Sequence, residues 1–189
     1  MVVGLGNPGP EYAWSRHNAG WLVIDSFIRR IGLGEPRMKF GGAFWLDSAP
    51  DGQRIALLKP FTYMNLSGKS VIEAARYYGI APDEILVVFD DVAIPFGKLR
   101  YRDKGSAGGQ KGMASILGAL GTLEVPRIRI GVGAPGPRME MPDWVLGRFP
   151  SEQRKLWPEI EDLAWESLGR WMRGDAGEGF TVQIRSGES

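Results

Sequence analysis

The sequence predicts an α/β fold, a single-domain three-layer α/β/α sandwich around a mixed, mostly parallel sheet. Three observations predict it. Short apolar runs alternate with segments of helical periodicity, as strands joined by crossover helices do. Two runs, Phe44-Trp-Leu-Asp47 and Arg54-Ile-Ala-Leu-Leu-Lys59, flank Pro50-Asp-Gly52 and read as a hairpin, which makes the sheet mixed. Ile85-Leu-Val-Val-Phe89 is a continuous β-rich run, as suits a central strand buried on both faces. No internal repeat or interdomain linker divides the 189 residues, which are ample for one core.

The elements follow in order. Met1 to Leu5 is an apolar strand, broken by a Gly-Asn-Pro-Gly turn. Trp21, Leu22, Ile24, Phe27, Ile28 and Ile31 keep helical spacing, and Gly32 ends the helix. After the hairpin, Pro60 closes the strand and Thr62-Tyr-Met-Asn-Leu-Ser67 is a loop. A helix runs through Val71, Ile72, Ala75 and Tyr78 to Gly79. Lys98-Leu-Arg-Tyr-Arg-Asp-Lys104 alternates strictly, so its basic residues share one strand face. A flexible loop, Gly105 to Gly112, opens into a short helix from Met113 to Leu120. Arg127-Ile-Arg-Ile-Gly-Val132 is another strand, and residues 133–143 read as a surface loop. Ser151 to Met172 is mostly helical, with Leu156, Ile160, Leu163 and Trp171 as its apolar stripe and Pro158 starting or kinking it. The Gly-rich tail, residues 174–189, reads as loosely held.

Composition excludes several classes. A net charge of +1 means that any nucleic-acid affinity must come from a local patch. With no cysteine there is neither disulfide nor thiolate chemistry, and with one histidine besides there are almost no zinc ligands. The longest apolar runs fall far short of a membrane span, and the first residues show no basic, signal-like segment. The expectation is a cytoplasmic enzyme or binding protein without a cofactor.

Two glycine motifs mislead. Gly4-Leu-Gly-Asn-Pro-Gly9 matches the dinucleotide-binding pattern, but Pro8 and Pro10 stand where its helix would begin, and Asp25 falls inside a helix. Gly68-Lys-Ser70 resembles the end of a P-loop, yet Tyr63 occupies the position of the required first glycine. Neither Ser67 nor Ser106 sits in a nucleophile elbow.

The chemistry centres on His17, the one histidine, whose side-chain type exchanges protons near neutral pH. A lone histidine is more often a structural hydrogen-bonding residue, so its company matters. Polar residues gather in four loops: Asn7 with Tyr12, His17 and Asn18; Tyr63-Met-Asn65; Asp90-Asp91; and Gln110-Lys111. Three of these follow strands, where ligands bind in open α/β sheets. A histidine near a carboxylate is the minimal unit that activates water. The basic strand face, with Arg127 and Arg129, could hold phosphates; as a bare observation it fits a solvated edge-strand face better.

These same stretches resemble the bacterial peptidyl-tRNA hydrolase family. Val3-Gly-Leu-Gly-Asn-Pro-Gly9, with Tyr12 and Arg16-His-Asn-Ala-Gly20, is similar to its opening signature. Lys59-Pro-Phe-Thr-Tyr-Met-Asn-Leu-Ser-Gly68, Asp90-Asp-Val-Ala-Ile-Pro-Phe-Gly97, Lys104-Gly-Ser-Ala-Gly-Gly109 and Arg127-Ile-Arg-Ile-Gly131 follow in the family's order. The resemblance implies hydrolysis of the ester joining a peptide to the terminal adenosine of tRNA, by a monomer without metal. It implies His17 as general base, Asp90 as its supporting carboxylate, and Asn7 as the group that tells N-blocked esters from free aminoacyl ones. Tyr12, Asn18, Tyr63, Met64 and Asn65 would meet the substrate, and Arg100, Arg102 and Arg129 the tRNA backbone. The sequence departs from the family where His-Asn commonly follows the double glycine: here stand Gln110 and Lys111. Lys111 cannot accept a hydrogen bond as the asparagine would, and is expected to meet a phosphate or carbonyl near the acceptor end. Phe89 and Ala93 replace a usual His and an acidic residue. The alternative reading is a non-catalytic RNA-binding relative of the same fold.

Overall fold

The structure, a computed structural model, describes residues 1–48 and 54–185. Its strands are β1 (Val2–Gly4), β2 (Arg37–Lys39), β3 (Gly42–Ser48), β4 (Arg54–Pro60), β5 (Leu86–Asp91), β6 (Lys98–Arg102), β7 (Arg127–Gly131) and β8 (Gly179–Gln183). They form one sheet in the order β2-β3-β4-β1-β5-β7-β6-β8. The centre is parallel: β1 pairs with β4 and β5, and β5 with β7. Both flanks are antiparallel. The sheet is therefore mixed as expected, with its parallel part confined to the four central strands.

Six helices are described: α1 (Ala19–Ile31), α2 (Ser67–Tyr78), α3 (Lys111–Leu120), α4 (Met141–Leu146), α5 (Ser151–Lys155) and α6 (Trp157–Met172). Side chains alternate across a strand, so the central strands feed two cores. Val2, Leu86 and Val88 face Val23 and Phe27 of α1 and Ile160 and Ala164 of α6. Val3, Val87 and Phe89 face Val71 and Ala74 of α2 and Met113 and Ile116 of α3. That makes the three layers. Phe27 is wholly buried, which stabilises the fold by about 1.5–3 kcal/mol.

One close approach positions the site. A Cβ on Gly20 would strike the Val88 carbonyl and the Leu5 backbone, and one on Gly4 would strike the Gly20 carbonyl. The first turn of α1 thus lies directly on the ends of β1 and β5. Gly6 likewise makes room for the Trp21 ring. The Gly4-Leu-Gly6 pattern serves helix–sheet contact, and the chain beyond it turns through two single 3-10 turns, Pro10–Tyr12 and Arg16–Asn18. No dinucleotide-type helix starts there.

Several elements differ from the sequence reading. The hairpin strands pair antiparallel as β3 and β4, while the expected turn at Pro50-Asp-Gly52 lies outside the described residues. Strand β2 pairs with β3 through only three positions, too few to give a period. The helix expected from Met113 begins at Lys111, because the Gln110 side chain caps it. Residues 133–143 are not all loop: α4 starts at Met141, with Pro142 in its first turn, where a missing N–H costs nothing. The stretch from Ser151 breaks at Leu156 into α5 and α6, again with a proline, Pro158, in the first turn. Trp157 rather than Leu156 is buried there. In the segment expected to be loosely held, residues 179–183 add β8 to the edge of β6, where Phe180 stacks on Tyr101 with ring centres 5.1 Å apart.

Candidate active site

Strands β1 and β5 run parallel, with Gly4 in register with Val88 and Leu5 N–H donating to the Val88 carbonyl at 2.9 Å, and β5 continues to Asp91. Asn7 and Asp90 both line the groove at this end of the sheet. The turn that precedes α1 brings His17 over both.

His17 Nδ1 lies 2.9 Å from each carboxylate oxygen of Asp90. Asp90 is 3% exposed, so protein donors take the place of water around its carboxylate. With Nδ1 held by the carboxylate, Nε2 is the ring nitrogen left for a substrate or water. A second donor reaches Asp90 from the other side: Gln110 Nε2 lies 3.2 Å from Asp90 Oδ1 and 3.4 Å from Met64 Sδ. Gln110 Oε1 in turn accepts from Met113 N–H at 2.7 Å.

The pair opens into a groove of about 670 Å³. Asn7, Tyr63, Met64, Asn65 and Lys111, all candidate site residues from the sequence, are placed along it. Asn65, Tyr63 and Lys111 are exposed, and the side chains of Asn7 and Asn65 make no hydrogen bond among the described residues. The opposite wall was not predicted: Met141, Pro142, Val145 and Leu146 of α4 give it an apolar character. The signal in the sequence is the apolar cluster Met139, Met141, Val145 and Leu146 directly after a Gly- and Pro-rich stretch. Arg16 fixes this wall. Its guanidinium carbon lies 3.5 Å from the Trp144 ring centre, Nη1 donates to the Trp144 carbonyl at 3.2 Å, and its backbone N–H donates to the Gly147 carbonyl at 3.0 Å. Burial lowers its pKa below the usual arginine value.

Other expected site residues lie elsewhere. Asn18 is 1% exposed and does not line the groove. Its Oδ1 accepts from Asn7 N–H at 2.8 Å and its Nδ2 donates to the Asn7 carbonyl at 3.0 Å. Asn18 thus holds Asn7 rather than facing a substrate. Tyr12, in the turn at Pro10–Tyr12, is also outside the groove lining.

Arg100, Arg102 and Arg129 stand on the neighbouring strands. Arg100 is registered opposite Arg129, and Arg102 opposite Arg127. Arg129 is closest to the groove: its Nε donates to Asp91 Oδ2, and it lies against Gly108 on the rim. Asp91 also accepts from Ala93 N–H at 2.8 Å, so this carboxylate anchors the turn after β5 and a basic side chain. Arg127 does not join the basic surface, contrary to expectation. It is 1% exposed and donates to the carbonyls of Gly105, Ser106, Leu123 and Val125. Burial, with Arg129 nearby and Asp103 opposing, brings its pKa down to about 10. It ties down the loop that leads to Gln110.

A histidine in contact with a buried carboxylate, at the ends of parallel strands and open to a groove, is the arrangement of a hydrolase that activates water by general base. No group of three or more His, Cys, Asp or Glu that could hold a metal occurs among the described residues. The chain matches the Peptidyl-tRNA hydrolase family model over residues 1–184. It is 53% identical over 150 residues to the peptidyl-tRNA hydrolase of Symbiobacterium thermophilum, covering 79% of each chain. It is 41% identical over 173 residues to that of Brevibacillus brevis, covering 92% of this chain and 91% of the relative. The crystal structure of peptidyl-tRNA hydrolase from Acinetobacter baumannii superposes with a TM-score of 0.85 at 35% identity, covering 92% of this chain and 88% of that one. The chain belongs to the peptidyl-tRNA hydrolase family.

Proposed function

We propose that this chain hydrolyses the ester between a peptide and the 3′-terminal adenosine of tRNA, with His17 as the general base. The contact between His17 and buried Asp90, facing a groove with free amides, carries the reading. A non-catalytic RNA-binding relative has no need of that pair.

In this reading Asp90 accepts a hydrogen bond from His17 Nδ1–H and keeps the ring oriented with Nε2 toward the groove. Nε2 takes a proton from water as the water oxygen attacks the ester carbonyl. Asp90 stabilises the imidazolium that forms, and the imidazolium returns the proton to the departing ribose oxygen. The negative charge on the carbonyl oxygen needs donors, which the Asn65 amide or the backbone N–H groups of Gly108 and Gly109 supply. Asn7, its backbone held by Asn18, offers its amide to the blocked peptide nitrogen and carbonyl. The apolar wall of α4 suits peptide side chains.

Arg129, Arg100 and Arg102 extend from the groove rim across β7 and β6 and fit the phosphates of the acceptor stem. Lys111, exposed on the wall, meets a phosphate or carbonyl near the acceptor end. A Lys111→Asn variant with unchanged rate and affinity would count against that contact. The chain acts in this reading as one domain, as a monomer in the cytoplasm, without metal. Among the described residues no helix is long and apolar enough to cross a membrane.

The test is release of N-acetylaminoacyl groups from tRNA, with unblocked aminoacyl-tRNA as control. Cleavage of the blocked ester alone is expected; no cleavage of it, with tRNA bound, favours the non-catalytic relative.

A further inference from the structure

Asp90 has a second donor besides the histidine it serves, and that donor does not titrate. The Gln110 amide can point only one way: its oxygen accepts Met113 N–H at 2.7 Å, so its nitrogen must face Asp90 Oδ1, 3.2 Å away. An amide whose oxygen accepts from a helix N-terminus is a stronger donor through its nitrogen, because hydrogen bonds in series polarise one another. Gln110 is 9% exposed and Asp90 3%, so water is largely kept from both. Among the described residues, the side chains that donate to the Asp90 carboxylate are His17 and Gln110.

We infer that Gln110 is a positioning residue for the reaction: it links the first turn of α3 to Asp90 and thereby sets how strongly Asp90 holds the proton of His17. The inference rests on His17 being the base. A donor on the carboxylate disperses its charge, which weakens its pull on the imidazolium. The other titratable groups of the groove are Asp91, engaged by Arg129 and Ala93 N–H, and Tyr63 and Lys111 on the open wall. None of them donates to Asp90, so none replaces Gln110.

Two variants separate this role from a structural one. Gln110→Ser keeps a helix-capping side chain but is too short to reach Asp90. Gln110→Met keeps the volume and loses the cap. Their common loss is the N–H on Asp90. The readout is the acid limb of kcat/KM against pH on N-acetylaminoacyl-tRNA, with the unfolding midpoint recorded alongside. In both variants the limb is expected to move up, by about half to one pH unit, whatever happens to the midpoint. A limb unmoved in either folded variant overturns the proposal, since the effect then follows from the cap or the volume. A wild-type enzyme that is inactive, or whose activity survives His17→Ala, overturns the underlying reading instead.

Discussion

Asn18 grips the backbone of Asn7 at both ends, its amide oxygen accepting from the Asn7 N–H and its amide nitrogen donating to the Asn7 carbonyl. The side-chain amide thus pairs with the N–H and C=O of one residue, as a residue on a neighbouring antiparallel strand does. It leaves the Asn7 side chain lining the groove with no hydrogen-bond partner among the described residues. It also explains why α1 has no side-chain cap: the residue at the capping position, Asn18, is engaged elsewhere.

Replacing Asn18 by aspartate keeps the oxygen that accepts from Asn7 and turns the donor into a second acceptor, which faces the Asn7 carbonyl while buried. Stability is expected to fall by about 2–3 kcal/mol. Discrimination between blocked and unblocked aminoacyl-tRNA is expected to fall with it. Urea unfolding and the ratio of kcat/KM on the two substrates check this. Full retention of that ratio would mean that the orientation of Asn7 does not set the preference.

Arg127 fills the core with a guanidinium whose partners are four carbonyls. Arg127→Met removes the charge and leaves the carbonyls of Gly105, Ser106, Leu123 and Val125 short of donors. The expected cost is about 3 kcal/mol, measured by denaturant unfolding. An unchanged midpoint, with weaker tRNA binding, would return Arg127 to the phosphate-binding surface.

Arg100 and Arg102 project from β6, outside the groove. Changing both to alanine is expected to weaken tRNA binding and to make the dependence of log Kd on log salt shallower by about 1.5–2. Turnover at saturating substrate should persist. Filter binding across a salt series checks the slope, and an unaltered slope would remove these residues from the RNA contact.

The sequence made the central sheet legible because β1 and most of β5 are apolar on both faces and the helices end on glycines: Gly32, Gly79 and Gly121 all take left-handed conformations after α1, α2 and α3. The short elements were hidden. Strand β8 alternates half-buried and exposed residues within a Gly-rich tail, and its order comes from pairing with β6, a non-local contact. Helix α4 has six residues, too few for a helical period, and is held by Arg16 stacking on Trp144. Within the site, Asn7, His17, Asp90 and the Tyr63-Met-Asn65 stretch could be singled out as polar residues near strand ends, although Asp90 itself belongs to β5; the apolar α4 wall could not. The roles of Asn18 and Arg127 could not, because residue type does not tell a ligand-facing amide or guanidinium from one satisfied by backbone. The glycines at 4 and 6 posed the same problem: packing against Gly20 and Trp21 demands what a phosphate cradle would demand.

The most direct test of the account compares the wild type with His17→Ala on N-acetylaminoacyl-tRNA, measuring single-turnover cleavage and tRNA affinity in parallel. Cleavage is expected to fall by about 10²–10⁴-fold while affinity changes little, because the base acts on water and not on the RNA. Cleavage within a few-fold of wild type would contradict His17 as the base and leave its contact with Asp90 a structural one.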